Sequence, residues 1–189
     1  MTAPLRLGLL GWGTVGRAFA RLLADETPRL AALLGAAPRL VAVASRSLGQ
    51  GPVEGLSADV RTGNELVSVA TAPDVDVVVE LIGGLEPAGT LVASALAAGK
   101  GVVTANKALL AARGAELAAL AGRKGVPLGF EAAVAGGIPI VRALRESFAS
   151  DRVEAVSGIL NGTSNFVLTG MNRTGRAFAD VLAEAQALG

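Results

Sequence analysis

The chain opens on an apolar run, residues 5–10, that breaks into GWGTVG at residues 11–16 and resumes with helical spacing over residues 14–24. A short apolar run, a Gly-rich break and then a 3.6-residue period predict a buried strand, a tight turn and a helix. Thr27-Pro28 and Pro38 bracket an Ala- and Leu-rich segment, residues 29–35, which predicts a short second helix. LVAVA at residues 40–44 and VDVVVELI at residues 75–82 are rich in β-branched residues and predict parallel strands buried on both faces. Residues 48–62 contain Gly, Ser and Pro and read as loop, whereas residues 64–70 fit either a short strand or a turn of helix. An Ala-rich helix at 86–98 closed by Gly99, a strand at 101–104, an Ala/Leu helix at 105–124 and a strand at 126–130 complete the series. Strands alternating with helices in this way predict the α/β class, as a Rossmann-type doubly wound parallel sheet.

Beyond residue 130 the texture changes. EAAVAGGIPIVRALRESF predicts a small-residue loop, a helix started by Pro139 and an amphipathic face running to Phe148. Residues 152–160 alternate as a half-buried strand, Asn161-Gly162-Thr163 is a turn, residues 164–171 begin a helix, and residues 178–188 form another that stops at Gly189. We therefore expect a domain boundary near residue 130, with residues 1–130 forming the sheet domain and residues 131–189 the beginning of an α+β substrate and dimerisation domain.

Composition narrows the chemistry. Hydrophobic residues make up 51% of the 189-residue chain but aromatics only 3%, so the core is expected to be Ala, Leu and Val packed closely between helix and sheet. With 17 basic and 16 acidic residues the net charge is +1, which gives no electrostatic case for nucleic acid or an anionic membrane and favours a small-molecule partner. There is no cysteine, so thiolate catalysis, disulfides and Cys-based metal sites are excluded. There is also no histidine, which leaves proton transfer to Lys, Asp, Glu or water. The first apolar run has no basic segment before it and is too short to span a membrane, so a cytoplasmic protein is expected.

The candidate chemistry sits at the ends of predicted strands. In GWGTVG, Gly11 permits the sharp turn, Gly13 lets backbone approach a pyrophosphate, and Gly16 lets the helix pack close to the strand. The first-turn N–H groups then face the anion. Ser45-Arg46-Ser47 follows the next strand, 30 residues beyond Gly16, where an acid would hold a ribose 2′-hydroxyl and an arginine suits a 2′-phosphate. Arg46 thus points to NADP, with NAD as the alternative. Glu80 ends a buried strand before Leu81-Ile82-Gly83-Gly84; its carboxylate either borders a nicotinamide site or is a strand-end group with its own hydrogen-bond partners. In Thr104-Ala105-Asn106-Lys107, Thr104 is expected to cap the following helix and Lys107 to fall at its third position, a cation opposing the helix dipole at the ligand edge. Glu131 with the Gly136-Gly137 turn can offer a hard cation one carboxylate and several carbonyls. Asn161-Gly162-Thr163-Ser164-Asn165 is either a helix cap or a donor set for a carboxylate.

Taken in order, GWGTVG, ELIGG, GKGVVTANKALLA, EAAVAGGIPI, GILNGTSNFVL and AEAQALG resemble the homoserine dehydrogenases. The resemblance implies reversible, nicotinamide-dependent conversion of L-homoserine to L-aspartate 4-semialdehyde on the route to threonine, methionine and isoleucine, usually by a homodimer. It assigns the cofactor phosphates to Gly13, Thr14 and Val15 within the Gly11 to Gly16 turn, the 2′-phosphate to Arg46, and the nicotinamide side to Thr104 and Lys107, while Gly83 joins the cofactor set from its small-residue run after Glu80. Lys107 is also its candidate for proton transfer. Glu131 with the carbonyls of Val134, Gly136 and Ile138 matches the family's monovalent-cation site, with sodium expected, and Asn161, Gly162 and Thr163 fall to the substrate. The family's substrate-binding Glu and its catalytic Asp and Lys lie beyond the motif that ends at Gly189, so the 189-residue chain is expected to bind NADP(H) and to turn over slowly or not at all. Two other readings share the glycine turn: a dehydrogenase acting on another amino-acid-derived substrate, and a non-catalytic NADP-binding module.

Overall fold

A computed structural model describes residues 3–159 and 161–188. The chain divides into two compact units, Met1–Gly136 and Gly137–Gly189. Among the described residues the first holds six strands, β1 (Arg6–Leu10), β2 (Arg39–Ala44), β3 (Arg61–Gly63), β4 (Val77–Glu80), β5 (Gly101–Thr104) and β6 (Leu128–Gly129). All pairings are parallel and the strand order is β3-β2-β1-β4-β5-β6. That order reverses between β1 and β4, and the crevice at such a reversal is where open α/β sheets bind ligands.

Alternation along the strands sends side chains to two cores. Leu10, Val78 and Val102 point to one face, where they meet Leu91, Leu96, Leu109 and Leu117 of helices α3 (Ala88–Ala97) and α4 (Lys107–Lys124), with α2 (Leu66–Ala70) beside them. Leu9, Val43 and Val79 point to the other, against Trp12, Phe19 and Ala20 around the start of helix α1 (Thr14–Leu34). Small residues set the spacing, as composition predicts: Ala42, Ala44, Ala70, Ala88 and Ala95 are buried, and a Cβ at Gly8 would lie 3.0 Å from methyl groups of Val69 and Val75.

Two expectations for this unit fail. The break at Thr27-Pro28 does not occur, because α1 runs unbroken from Thr14 to Leu34 with Pro28 inside it. An interior proline costs about 3 kcal/mol when the carbonyl four residues back is stranded. Here Ala24 and Pro28 both lie on the exposed side, where water can take that carbonyl. The second failure is β3, which emerges from the end of the segment read as loop; of residues 64–70, Leu66–Ala70 form a turn of helix, one of the two expected options.

The second unit carries a short helix, α5 (Ile140–Arg142), continued by a wider π turn over Ala143–Ser147, then α6 (Gly162–Thr174) and α7 (Phe178–Leu188). The strand expected at 152–160 is absent over its described part: residues 152–159 are exposed and join no ladder. An alternating pattern makes a strand only where a neighbour accepts its backbone bonds. Leu160 and Gly189, where that strand and the last helix were expected to end, lie outside the described residues.

Candidate functional site

The glycine turn is built by contact. Gly11 has φ +106°, its N–H donates to Ala44 O at 2.8 Å, and a Cβ there would stand 2.6 Å from Leu81 O. Gly16 is tighter still, since its Cβ would fall 2.1 Å from Gly11 O. Those two glycines are required by the protein itself. Gly13 is not: apart from its chain neighbours, a Cβ there meets no atom of a described residue within 4 Å. The space over Gly13 is open, and Thr14 and Val15, the first two residues of α1, are exposed beside it. The first turn of α1 contains no acidic residue and no side-chain cap, so its free N–H groups keep their positive end for an anion.

Register aligns the rest of the edge. Leu10 pairs with Ala44 on one side and Glu80 on the other, and Glu80 pairs with Thr104. Each strand therefore delivers its next residues to one rim. After Ala44 comes a turn in which Ser45 N–H donates to Gly63 O at 3.0 Å and Arg46 is exposed, making no ion pair with a described residue. After Glu80 comes the loop with Gly83, exposed at φ +80°. After Thr104 comes Lys107, the first residue of α4, with its side chain in solvent.

Glu80 is wholly buried and has its own partners. Oε1 accepts from Ile82 N–H at 2.8 Å and Gly83 N–H at 3.0 Å, and Oε2 accepts from the Thr104 hydroxyl at 2.5 Å. Thr104 Oγ1 in turn accepts from Asn106 N–H at 3.0 Å. The helix cap is therefore Asn106, whose Oδ1 accepts from Leu109 N–H at 3.1 Å while Nδ2 donates to Gly84 O at 2.6 Å. Thr104, expected as the cap, is committed to Glu80 instead, and Lys107 moves from the third helical position to the first. The cation still opposes the dipole there.

The sequence of residues 11–131 matches the family model described as "Homoserine dehydrogenase, NAD binding domain", and residues 139–189 match "Homoserine dehydrogenase". The chain belongs to the homoserine dehydrogenase family. A homoserine dehydrogenase of Neisseria gonorrhoeae is 48% identical over 187 residues, which is 98% of this chain and 42% of that protein. The crystal structure of a homoserine dehydrogenase from Thiobacillus denitrificans superposes with a TM-score of 0.90 at 49% identity, covering 99% of this chain and 43% of that one. A hyperthermophilic archaeal homoserine dehydrogenase in complex with NADPH gives a TM-score of 0.84 at 25% identity, over 99% of this chain and 62% of that one. The chain thus spans under half the length of its bacterial relatives in the family.

The other residues singled out for a homoserine dehydrogenase follow β6 in the chain, and the turn that begins at Glu131 packs near β5. Glu131 begins a single 3-10 turn, Glu131–Ala133, after β6. Val134 is extended, Ala135 takes φ +46° and Gly136 closes the first unit, while Ile138 belongs to the second. No cluster of three or more acidic side chains occurs among the described residues, so a cation at Glu131 would rely on carbonyl oxygens. Asn161 caps α6, its Oδ1 accepting from Ser164 N–H at 2.7 Å, and Gly162 and Thr163 are the first two residues of that exposed helix. Sequence reading did not single out Asn106 as a cap or Lys100 as a buried charge. The Lys100 ammonium donates to the carbonyls of Ala72 and Val75 at the opposite end of the sheet. Nothing in its GKG context signals that burial.

Proposed function

We propose that this chain carries the cofactor-binding part of an NADP(H)-dependent homoserine dehydrogenase, interconverting L-homoserine and L-aspartate 4-semialdehyde for threonine, methionine and isoleucine synthesis. The observation that carries the reading is the open space over Gly13, flanked by two glycines that packing requires, at the point where the strand order reverses. A site shaped only by packing needs Gly11 and Gly16, whereas the missing side chain at Gly13 serves a ligand. In this reading residues 1–130 form the cofactor domain and residues 131–189 open the substrate domain.

Gly13, Thr14 and Val15 would hold the pyrophosphate against the first turn of α1, between Gly11 and Gly16. Arg46, exposed and without an acidic partner among the described residues, would take the 2′-phosphate and so favour NADP over NAD. Gly83 and Thr104 would border the nicotinamide, and Lys107 would hold the substrate oxygen and is the candidate for proton transfer. When bound, the nicotinamide supplies the hydride acceptor or donor, and the protein supplies orientation and electrostatics. Glu131 with the carbonyls of Val134, Gly136 and Ile138 would bind a monovalent cation, sodium in our reading, and Asn161, Gly162 and Thr163 would meet the substrate. A cytoplasmic homodimer completes the proposal. Among the described residues no helix is long and apolar enough to cross a membrane.

Fluorescence titration with NADPH and NADH tests the reading. Saturable binding of both, with NADPH the tighter, is expected; no binding of either at millimolar concentration overturns it.

A further inference from the structure

Glu80 is a fully buried carboxylate that forms no ion pair with a described residue. Burying a charge in this way is costly unless hydrogen bonds replace water, and three donors converge on it. Two of them, Ile82 and Gly83, belong to the loop after β4, and the third, Thr104, ends β5. A second link runs parallel to the first, from Asn106 Nδ2 to Gly84 O. We infer that Glu80 is a positioning residue that locks the Gly83 loop and the start of α4, with Lys107, into one rigid rim, and that the nicotinamide half of the cofactor depends on it. The inference rests on the cofactor reading above.

The carboxylate also sets a direction. Glu80 accepts only, so the Thr104 hydroxyl must spend its hydrogen on Oε2 and can then accept from Asn106 N–H. An amide at position 80 cannot satisfy that arrangement. If its oxygen faced Ile82 and Gly83, its NH₂ would donate to the second lone pair of Thr104 Oγ1, and the threonine hydrogen would lose its acceptor. If reversed, the NH₂ would confront two backbone N–H groups. Either way a hydrogen bond that holds the rim is lost while the volume of the side chain is unchanged. The glycine turn and the Arg46 loop contribute none of these bonds, so the adenosine half should not register the change.

The test compares two probes on the whole 189-residue chain: NADPH, and adenosine 2′,5′-bisphosphate, which lacks the nicotinamide half. In Glu80→Gln, NADPH affinity is expected to fall about tenfold, on the scale of one misdirected buried hydrogen bond, while bisphosphate affinity stays within about twofold. A purely structural carboxylate would lower the melting temperature without separating the two probes. Asn106→Asp, which keeps the oxygen that caps α4 but loses the donor to Gly84 O, should reproduce the separation, which keeps the test available if Glu80→Gln does not fold. Equal losses for both probes, or unchanged NADPH binding, in the folded variants overturn the inference and leave the cofactor reading standing. A wild-type chain that binds neither probe overturns both.

Discussion

Between residues 3 and 136 the chain buries leucines and valines on both faces of one sheet, whereas among the described residues of the second unit only Val167 and Val181 are buried hydrophobics. Phe148, Ile159, Leu168 and Phe178 are all exposed there. The two units have similarly apolar sequences, so the contrast comes from topology. A parallel sheet gives each strand two faces to cover and helices to cover them. In the second unit α6 and α7 meet along one line, at which a Cβ on Gly170 would come within 2.7 Å of a Val181 methyl. Conformation in the first unit is fixed by its own packing; among the described residues of the second it rests on the Asn161 cap, the α6–α7 contact and exposed ion pairs such as Arg176–Glu184.

The largest expected effect is at the contact that defines the first unit. Gly16→Ala drives a methyl into the Gly11 carbonyl, a backbone group with no flexible end to yield, and should destabilise the unit by about 3 kcal/mol in denaturant unfolding. Gly13→Ala, into open space at an extended backbone, should cost at most about 1 kcal/mol as a weakened cap while abolishing NADPH binding. If the two variants proved equally destabilising, the distinction between packing glycines and a ligand glycine would collapse.

Val181→Ala attacks the corresponding contact in the second unit. Removal of two methyl groups from a fully buried site should cost that unit about 2 kcal/mol. Hydrogen exchange should show the loss confined to α6 and α7, with the amides of β1 and β4 unchanged. Even in the wild type those two helices should exchange faster than the sheet. Equal protection in both units would show that the second is better packed than its burial implies.

How much of this was legible in the sequence follows the same division. The sheet, its order class and the rim positions of Gly11, Arg46, Gly83 and Lys107 could be read from GWGTVG and the apolar runs, because a strand buried on both faces announces itself without reference to its neighbours. Thr104 was misjudged as a cap because its hydroxyl answers to Glu80, 24 residues away, and local pattern carries no such information. Pro28 inside α1 and the missing strand at 152–159 fail for a related reason. Whether a stranded carbonyl meets water, or an alternating segment meets a partner, is decided by tertiary surroundings.

Arg46 tests whether the first unit's exposed residues serve a ligand rather than the fold. The side chain makes no ion pair with a described residue, so Arg46→Ala should leave stability within about 0.5 kcal/mol. NADPH affinity should fall about tenfold and NADH affinity by less than twofold, as expected for loss of a charge-assisted contact to the one phosphate that distinguishes them. A parallel loss for both cofactors would move Arg46 from the 2′-phosphate to some shared part of the dinucleotide.

The smallest effect lies at the far end of the same sheet, where Arg6 and Asp76 tie β1 to the start of β4. The guanidinium meets the carboxylate with two hydrogen bonds, at 2.6 and 3.0 Å, and the Arg6 N–H adds a third at 2.8 Å. The Arg6 side-chain bonds hold the Asp76 carboxyl below the usual carboxylate range, against partial burial that acts the other way. A depressed folded value means that the unfolded chain takes up a proton first as the solution is acidified. The stabilisation is therefore complete above the unfolded carboxylate value of about 3.9 and is lost as pH falls through the lower folded one. Both side chains are more than a third exposed, so solvent screening keeps the contribution small. Asp76→Asn should consequently flatten the acid limb of the first unit's stability curve by up to one proton, leaving its shape near neutral pH and the unfolding of α6 and α7 unchanged. An acid limb of equal slope in both proteins would mean that other carboxylates govern it.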